Sequence, residues 1–482
     1  MPTPLLSAKS AARLALLATS VGALACLWTA WCEFPGYAWN EVRLAPAFAL
    51  RHGINPYPPL GGGPLFTWIY GPVGILINLP AAFATSPAGA LHLASLINAL
   101  VVLLPLAVVL FASEELRARG PAIRWLALSL GVLLVPRLNL VVQVADHAAI
   151  ALGLLSCWCL ARRSHPTAVQ LATAAALGAL AVWAKQTALF LLPAQIAFLL
   201  LLGRERAAVM RYFAWFAGFN LLGLAIAGQA FGFANLWLNL VDIPGRLPLQ
   251  WSVVPARIAL RAGSLVAQLV LPSLGLLALW FKGPWPARNR ESGRFFQLVT
   301  LAYIAMLPVG LAAFLKIGGD INSFQSWDYL LPGCLLAWLA ADHVTAAAPA
   351  RLLAATVLAL ALHGTRLFSV PARPFVRHFD AAAQLIATCP HAIWFPQNPL
   401  ITLYADQELW HSEDGILTRY AAGYGLRESD FRRYLPGHLQ IVAYAANVDP
   451  PLAPPLLPEF NYRTSQGYWI LCTRAPQPPG AR

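Results

Sequence analysis

Long apolar segments alternate with short polar loops along the chain as far as residue 369. Most of these segments approach the roughly 20 residues that a helix needs to cross the hydrocarbon core of a bilayer. About eleven such spans are predicted on this length criterion, and the first covers residues 11 to 32. The pattern therefore predicts an all-α polytopic membrane protein.

One apolar segment, "PLFTWIYGPVGILINLPAAFA" over residues 64 to 84, is expected not to cross the membrane fully. It contains Pro64, Pro72 and Pro80, and repeated prolines interrupt a long helix. We interpret the segment as re-entrant or interfacial. It then lies within a first extracytoplasmic loop of about residues 33 to 87.

The sequence changes character after the linker "SVPARPF", which ends the membrane part at about residue 370. "FVRHFDAAAQLIATC" is typical of an amphipathic helix, and "HAIWFP", "HLQIVAY" and "GYWILCTRA" are typical of short buried strands. We therefore predict two domains, a transmembrane domain over 1–370 and a small α/β domain over 371–482.

Composition supports a membrane protein, because 59% of the 482 residues are apolar and only 11% are charged. The net charge of +13 does not indicate nucleic-acid binding, since the basic residues occupy short loops and form no phosphate-binding cluster. These loops, at 113–124, 161–166, 203–211 and 282–294, are predicted to be cytoplasmic by the positive-inside rule. The first loop and the C-terminal domain are then extracytoplasmic.

The seven cysteines show no metal-binding spacing. Cys389 and Cys472 both lie in the C-terminal segment, and an exported segment permits a disulfide, which the sequence alone leaves open. His52 and His147 are more typical of packed or surface histidines than of metal ligands, so no metal site follows from these residues.

Charged residues at the ends of membrane spans are the first candidates for function, because burying them without a partner is costly. Several lie at predicted extracytoplasmic span ends, in loops far apart in the sequence. They are Glu41, Arg43, Asp146, His147, Lys185, Arg246, Lys316 and Asp320, with the neighbouring Asn322.

Some of these residues lie in motifs that resemble the GT-C superfamily of polytopic glycosyltransferases. The motifs are the "NE-x-R…G-x-NPY" loop, "TWIYGPVG", "ADHAAIALGLLS", "WAKQTALFLLP" and "KIGGDINSF". They follow one another along most of the membrane part, and the resemblance rests on their order. The resemblance implies transfer of a sugar from a polyprenyl-phosphate donor to a lipid, glycan or protein acceptor, in a bacterial inner membrane. Glu41 and Arg43 form a Glu-x-Arg motif where adjacent acids are common in the superfamily. This difference leaves open which acid is the base and whether a divalent metal binds.

The chemistry of such a transfer assigns a role to each candidate. A carboxylate must take the proton of the acceptor hydroxyl, and cations must stabilise the charge that develops on the departing phosphate. We assign Glu41 as the base and Asp146 as a second catalytic acid. The predicted phosphate-binding residues are Arg43, Lys185 and Arg246, and the predicted substrate-binding residues are Tyr57, Tyr70, His147, Lys316, Asp320 and Asn322.

Other interpretations remain open at this stage. Glu41 can simply solvate an interfacial helix, and Asp146 can stabilise the positive end of its helix. A transporter or flippase would use the same charges along a path and would place polar residues in the middle of several spans. A non-catalytic membrane scaffold would tolerate amides at both acids.

Overall fold

The computed structural model describes residues 8–33, 38–66, 68–118, 120–135, 137–203, 206–266, 270, 273–274, 290–319, 323–324, 330–340, 377–445, 457–466 and 468–474. These residues are mostly helical and include one small sheet near the C-terminus. This confirms the predicted helical fold and the small C-terminal α/β region.

The helices differ widely in length. They are α1 (Ala8–Glu33), α2 (Ala38–Arg51), α3 (Pro72–Asn78), α4 (Pro87–Ala112), α5 (Glu114–Arg117), α6 (Pro121–Leu134), α7 (Ala145–Ala161), α8 (Ala168–Ala184), α9 (Leu191–Gly203), α10 (Arg206–Phe231), α11 (Phe233–Trp237), α12 (Ile243–Arg246), α13 (Val254–Leu265), α14 (Glu291–Leu315), α15 (Leu330–Ala340), α16 (Arg377–Thr388), α17 (Pro399–Asp406), α18 (Glu413–Ala421) and α19 (Glu428–Arg432). The strands are β1 (Ile393–Trp394), β2 (Ile441–Ala445), β3 (Tyr462–Gln466) and β4 (Trp469–Thr473).

Three helices among the described residues are long and apolar enough to cross a membrane, namely α4, α10 and α14. Shorter apolar helices accompany them, including Ala145–Ala161, Ala168–Ala184 and Pro72–Phe83. The last is too short to span a hydrocarbon core that needs roughly 20 helical residues. The number of spans and their orientation remain predictions.

The chain divides into two compact units. Unit 1 contains residues 1–31, 98–225 and 249–370, and unit 2 contains residues 32–97, 226–248 and 371–482. Each unit is therefore assembled from three separate segments of the sequence.

Unit 1 is organised around the antiparallel pair α7 and α8. Helix α8 begins with a capping box, in which Thr167 and Gln170 satisfy each other's backbone N–H groups. Small residues dominate the α7 and α8 contact and allow close packing, as in membrane helices generally. The two helices are 17 residues each, so the start of α7 and the end of α8 lie at the same end of the pair.

A buried hydrogen-bond network joins α7, α9 and α10. Tyr212 Oη donates to Gln195 Oε1 at 2.5 Å, and Gln195 Nε2 donates to Ser156 Oγ at 2.8 Å. Ser156 Oγ in turn donates to the carbonyl oxygen of Ala174 at 2.7 Å. Each polar group is paired within the protein, which is how membrane helices hold polar side chains in an apolar interior.

The sheet of unit 2 has the strand order β1-β2-β4-β3. Strands β1 and β2 are parallel, while β4 is antiparallel to both β2 and β3. Its core contains Trp394, Val442, Tyr444 and Phe460, all of them buried. Leu65, from the first predicted loop, belongs to the same core.

The backbone of Leu65 is bound directly by the start of α18. Its N–H donates to His411 Nδ1 at 2.8 Å, and its carbonyl oxygen accepts from Ser412 N–H at 2.9 Å. Gly415 permits this approach, because a Cβ atom at that position would lie 2.7 Å from the Leu65 carbonyl group. The first loop is thus an integral part of the C-terminal fold.

The predicted C-terminal elements agree well with the structure. The amphipathic helix corresponds to α16, and the three predicted strands correspond to β1, β2 and β4. Cys389 and Cys472 are both free thiols. Trp394 is a core residue.

We predict that His411 makes the stability of unit 2 depend on pH. Burial lowers the pKa of His411 to about 3, so below pH 6.5 the unfolded chain takes up a proton that the folded chain does not. The free energy of unfolding should therefore fall by roughly 1.4 kcal/mol per pH unit between pH 6.5 and about pH 4 through this group alone.

The measurement is the thermal unfolding of the full chain in detergent, compared with His411→Gln, which keeps an acceptor for Leu65 N–H but does not titrate. The variant should lack the part of the pH dependence that His411 contributes. Parallel pH curves for the two proteins would show that His411 is not the responsible group.

Candidate functional site

Glu41 lies in the first turn of α2 and is 2% exposed. Its Oε1 accepts a hydrogen bond from Asn398 Nδ2 at 2.7 Å, and His378 Nε2 lies 3.5 Å from the same oxygen. Its Oε2 is buried and has no hydrogen-bond partner among the described residues. One carboxylate oxygen is therefore held in place, and the other keeps its capacity to accept a proton.

Arg43 and the two predicted tyrosines lie together in unit 2. The Arg43 guanidinium carbon is 5.7 Å from the centre of the Tyr70 ring, a cation–π distance. Tyr57 Oη donates to the carbonyl oxygen of Tyr70 at 2.8 Å. Burial raises the pKa of Tyr57, which keeps it neutral as a hydrogen-bond donor. The structure thus gives Tyr57 and Tyr70 an internal structural contact, and their substrate role remains a prediction.

Asp146 and Lys185 form an ion pair in unit 1. Lys185 Nζ contacts Asp146 Oδ1, and their side chains are only 13% and 11% exposed. Asp146 lies in the first turn of α7 and Lys185 immediately follows α8. They meet because the start of α7 and the end of α8 share one end of the antiparallel pair. The catalytic role predicted for Asp146 and the phosphate-binding role predicted for Lys185 remain predictions.

His147 extends this polar group toward α4. Its Nδ1 lies 2.8 Å from Asn98 Oδ1, and Asn98 Nδ2 donates to the carbonyl oxygen of Asn139 at 2.8 Å. Because the amide nitrogen of Asn98 is already used as a donor, its oxygen accepts, and His147 Nδ1 therefore carries the hydrogen. The side chains of Asn98 and His147 are both buried.

A small apolar cleft lies beside His147 within unit 1. Its lining is apolar apart from the histidine. The lining residues are Val102, Pro105, Leu106, Val135, His147, Ile150, Ala151, Leu154, Leu331 and Pro332.

Arg246 has a protein partner in unit 2. Its Nε donates to Asp242 Oδ1 at 2.7 Å, and its guanidinium carbon lies 5.1 Å from the centre of the Tyr424 ring. Hydrogen bonds from Tyr424 and Arg246 lower the pKa of Asp242. The Arg246 side chain is 58% exposed. Its predicted contact with phosphate would compete with this ion pair.

Lys316 lies at the end of α14 in unit 1, where its backbone forms a bridge with Leu249. Arg257 Nη1 donates to the carbonyl oxygen of Lys316 at 3.0 Å. Asp320 and Asn322, predicted substrate contacts in the same loop, lie outside the described residues. The predicted group is therefore described only at Lys316.

Sequence reasoning missed a buried arginine in unit 2. Arg419 Nη2 donates to the carbonyl oxygen of Pro58 at 2.8 Å and to Asn239 Oδ1 at 3.0 Å. Burial lowers the pKa of Arg419 to about 10. These bonds connect three separate segments of the sequence, and no local pattern around Arg419 indicates this role.

The described residues contain no group of three or more His, Cys, Asp or Glu side chains arranged to hold a metal ion. Glu41 and Asp146 belong to different units.

No family model matches the chain, and no curated protein matches it significantly. Among solved structures, the chain is similar to ArnT from Cupriavidus metallidurans, crystallised with undecaprenyl phosphate. The match covers 96% of this chain and 99% of that chain, with a TM-score of 0.44 and 11% sequence identity. At this score and identity no residue role or reaction transfers to this chain.

We predict that Lys185→Met destabilises the protein strongly, because Asp146 would remain buried without its cation. Breaking a buried ion pair from one side costs roughly 3–5 kcal/mol. The double variant Asp146→Asn/Lys185→Met should recover much of this loss, since no unpaired charge remains. Thermal unfolding of the purified protein measures both effects.

The matched control is Arg246→Met, which breaks the exposed Arg246–Asp242 pair. Exposed pairs contribute about 0–1 kcal/mol, so this variant should unfold near the wild-type temperature. Equal destabilisation by Lys185→Met and Arg246→Met would contradict the strong coupling assigned to the buried pair.

Proposed function

We propose that this chain is a membrane glycosyltransferase of the GT-C type. It moves a sugar from a polyprenyl-phosphate donor to an extracytoplasmic acceptor that is a lipid, a glycan or a protein. The proposal places the protein in a bacterial inner membrane, with its site and C-terminal region on the extracytoplasmic side.

The observation that carries this proposal is that a small apolar cleft and a buried ion pair are connected through two adjacent residues of α7. His147 lines the cleft, and its sequence neighbour Asp146 is paired with Lys185. A polyprenyl-phosphate sugar has the same two-part character, an apolar chain joined to an anionic head. In this proposal the apolar lining of the cleft contacts part of the polyprenyl chain, and Lys185 supplies positive charge for the phosphate.

The departing group in this reaction is the phosphate of the donor. Negative charge grows on its bridging oxygen as the bond to the anomeric carbon breaks, and a nearby cation stabilises that charge most strongly in the transition state. Lys185 is assigned this role because an ammonium group has three N–H donors and can bind Asp146 and a phosphate oxygen together. Asp146 orients the ammonium group.

Glu41 is assigned as the general base. Its Oε2 takes the proton of the acceptor hydroxyl while the hydroxyl oxygen attacks the anomeric carbon. Attack and departure on opposite sides of that carbon invert its configuration, because no covalent sugar intermediate forms. Since Glu41 is 2% exposed, the acceptor reaches Oε2 only when the segments that cover Glu41 move.

The transporter alternative predicts polar residues in the middle of several spans that line a path. The polar residues described within α7, α9 and α10 include Ser156, Gln195 and Tyr212, which are hydrogen-bonded to one another or to backbone. Such satisfied groups join helices and do not favour a transport path. The scaffold alternative predicts that replacing Glu41 by glutamine leaves the function of the protein unchanged, whereas the glycosyltransferase proposal predicts a loss of sugar transfer.

We predict that Glu41→Gln lowers the rate of sugar transfer at least a hundredfold, because general bases contribute about 10²–10⁴ to a rate. The assay measures transfer of labelled sugar from a panel of polyprenyl-phosphate sugars to endogenous membrane acceptors. Wild type and variant are compared at equal abundance.

Glu413→Gln is the matched control, since Glu413 is another buried glutamate of unit 2, hydrogen-bonded to Gln397 at 2.9 Å. It should retain transfer. If Glu41→Gln transfers as fast as wild type, Glu41 is not the base; if wild type transfers from no donor in the panel, the glycosyltransferase proposal is wrong.

A further inference from the structure

Glu41 is held by residues more than 300 positions later in the chain. Asn398 directly precedes α17, and its Nδ2 donates to Glu41 Oε1 over a sequence separation of 357 residues. His378 lies at the start of α16, with Nε2 3.5 Å from the same oxygen. Helix α17 also packs against α2, the helix that carries Glu41.

Both contacts fall on one carboxylate oxygen. Oε1 accepts the amide N–H of Asn398 and lies 3.5 Å from His378 Nε2, whereas Oε2 has no hydrogen-bond partner among the residues described in the structure. A buried polar atom without a partner is costly and rare in folded proteins. An arrangement that satisfies only one oxygen fixes the carboxylate plane while the second oxygen keeps its capacity to accept a proton.

The side chain of Asn398 does not cap the helix that it precedes. An asparagine at the start of a helix commonly accepts a hydrogen bond from the first turn. Here the side chain makes no such capping bond. Its described side-chain hydrogen bond is the one donated to Glu41.

We propose that Asn398 and His378 are positioning residues for the catalytic base, so that the C-terminal region completes the active site. This inference rests on the proposed function, in which Glu41 takes the proton of the acceptor. The amide of Asn398 fixes the rotation of the carboxylate through Oε1 and directs Oε2 toward the acceptor hydroxyl. His378 supports the same oxygen from the other helix.

The principal test is Asn398→Asp, assayed with whichever polyprenyl-phosphate sugar of the panel supports wild-type transfer. The substitution keeps the shape of the side chain but replaces the N–H donor with an acceptor. We expect kcat to fall on the order of ten- to a hundredfold, the size of one hydrogen bond to a charged group. KM for the donor should stay within about twofold of the wild-type value, because the substitution does not change the contacts that bind the donor in the ground state.

The matched control is Gln397→Glu, the same amide-to-acid change at the adjacent residue. Gln397 Nε2 donates to Glu413 Oε2 at 2.9 Å, so this variant places an acid against a different glutamate of unit 2. It should retain kcat. A similar loss of kcat in both variants would indicate a general effect on the fold and would overturn the proposal.

Two further variants separate positioning from structure. In the double variant Glu41→Gln/Asn398→Asp, the amide at position 41 can donate a hydrogen bond to the carboxylate at position 398. This variant should therefore recover thermal stability without recovering sugar transfer. His378→Gln, which keeps an N–H donor, should retain more activity than His378→Phe. Equal activity of the two His378 variants at the wild-type level would remove His378 from the proposal.

The outcomes distinguish this inference from the proposed function. Transfer by wild type together with unchanged kcat in Asn398→Asp overturns the positioning role alone. Transfer by the exchanged pair at the wild-type rate shows that no carboxylate is needed at position 41, and both proposals are then wrong. Absence of transfer by wild type with every donor also overturns both.

Discussion

The constraint on which unit 2 depends is the binding of Leu65 by His411 and Ser412. This contact joins segments 346 residues apart and satisfies both backbone polar groups of Leu65 inside an apolar core. A buried backbone group without a partner would cost about 1–3 kcal/mol, so the contact fixes the loop closely. The same unit holds Asn398 against Glu41. The C-terminal region is therefore part of the framework around the proposed base.

Much of the fold follows from local sequence patterns. Long apolar segments predicted the helical fold, and short apolar runs predicted the buried strands β1, β2 and β4. The strand β3 was missed because all five of its residues, "YRTSQ", are exposed. An edge strand of this kind lacks the buried face that produces alternation. Its position depends on pairing with β4, which local sequence does not encode.

The candidate site was only partly predictable. Asp146 and Lys185 were both candidates from the sequence, and the structure shows that they form an ion pair where α7 begins and α8 ends, while their functional roles remain predictions. Asn398 was missed because an amide in "PQNP" is typical of a turn, and its partner Glu41 is remote in sequence. Arg246 was assigned to phosphate without regard to Asp242, although a spacing of four residues on a helix favours an ion pair.

The central claim is that one carboxylate, Glu41, acts as a base and that no sugar becomes attached to the protein. The most direct measurement is the anomeric configuration of the transferred sugar, determined by nuclear magnetic resonance of the isolated product and compared with that of the donor. Direct attack by the activated acceptor predicts the opposite configuration in the product. Retention of the donor configuration would contradict the account, because retention requires a second displacement that a single base does not provide.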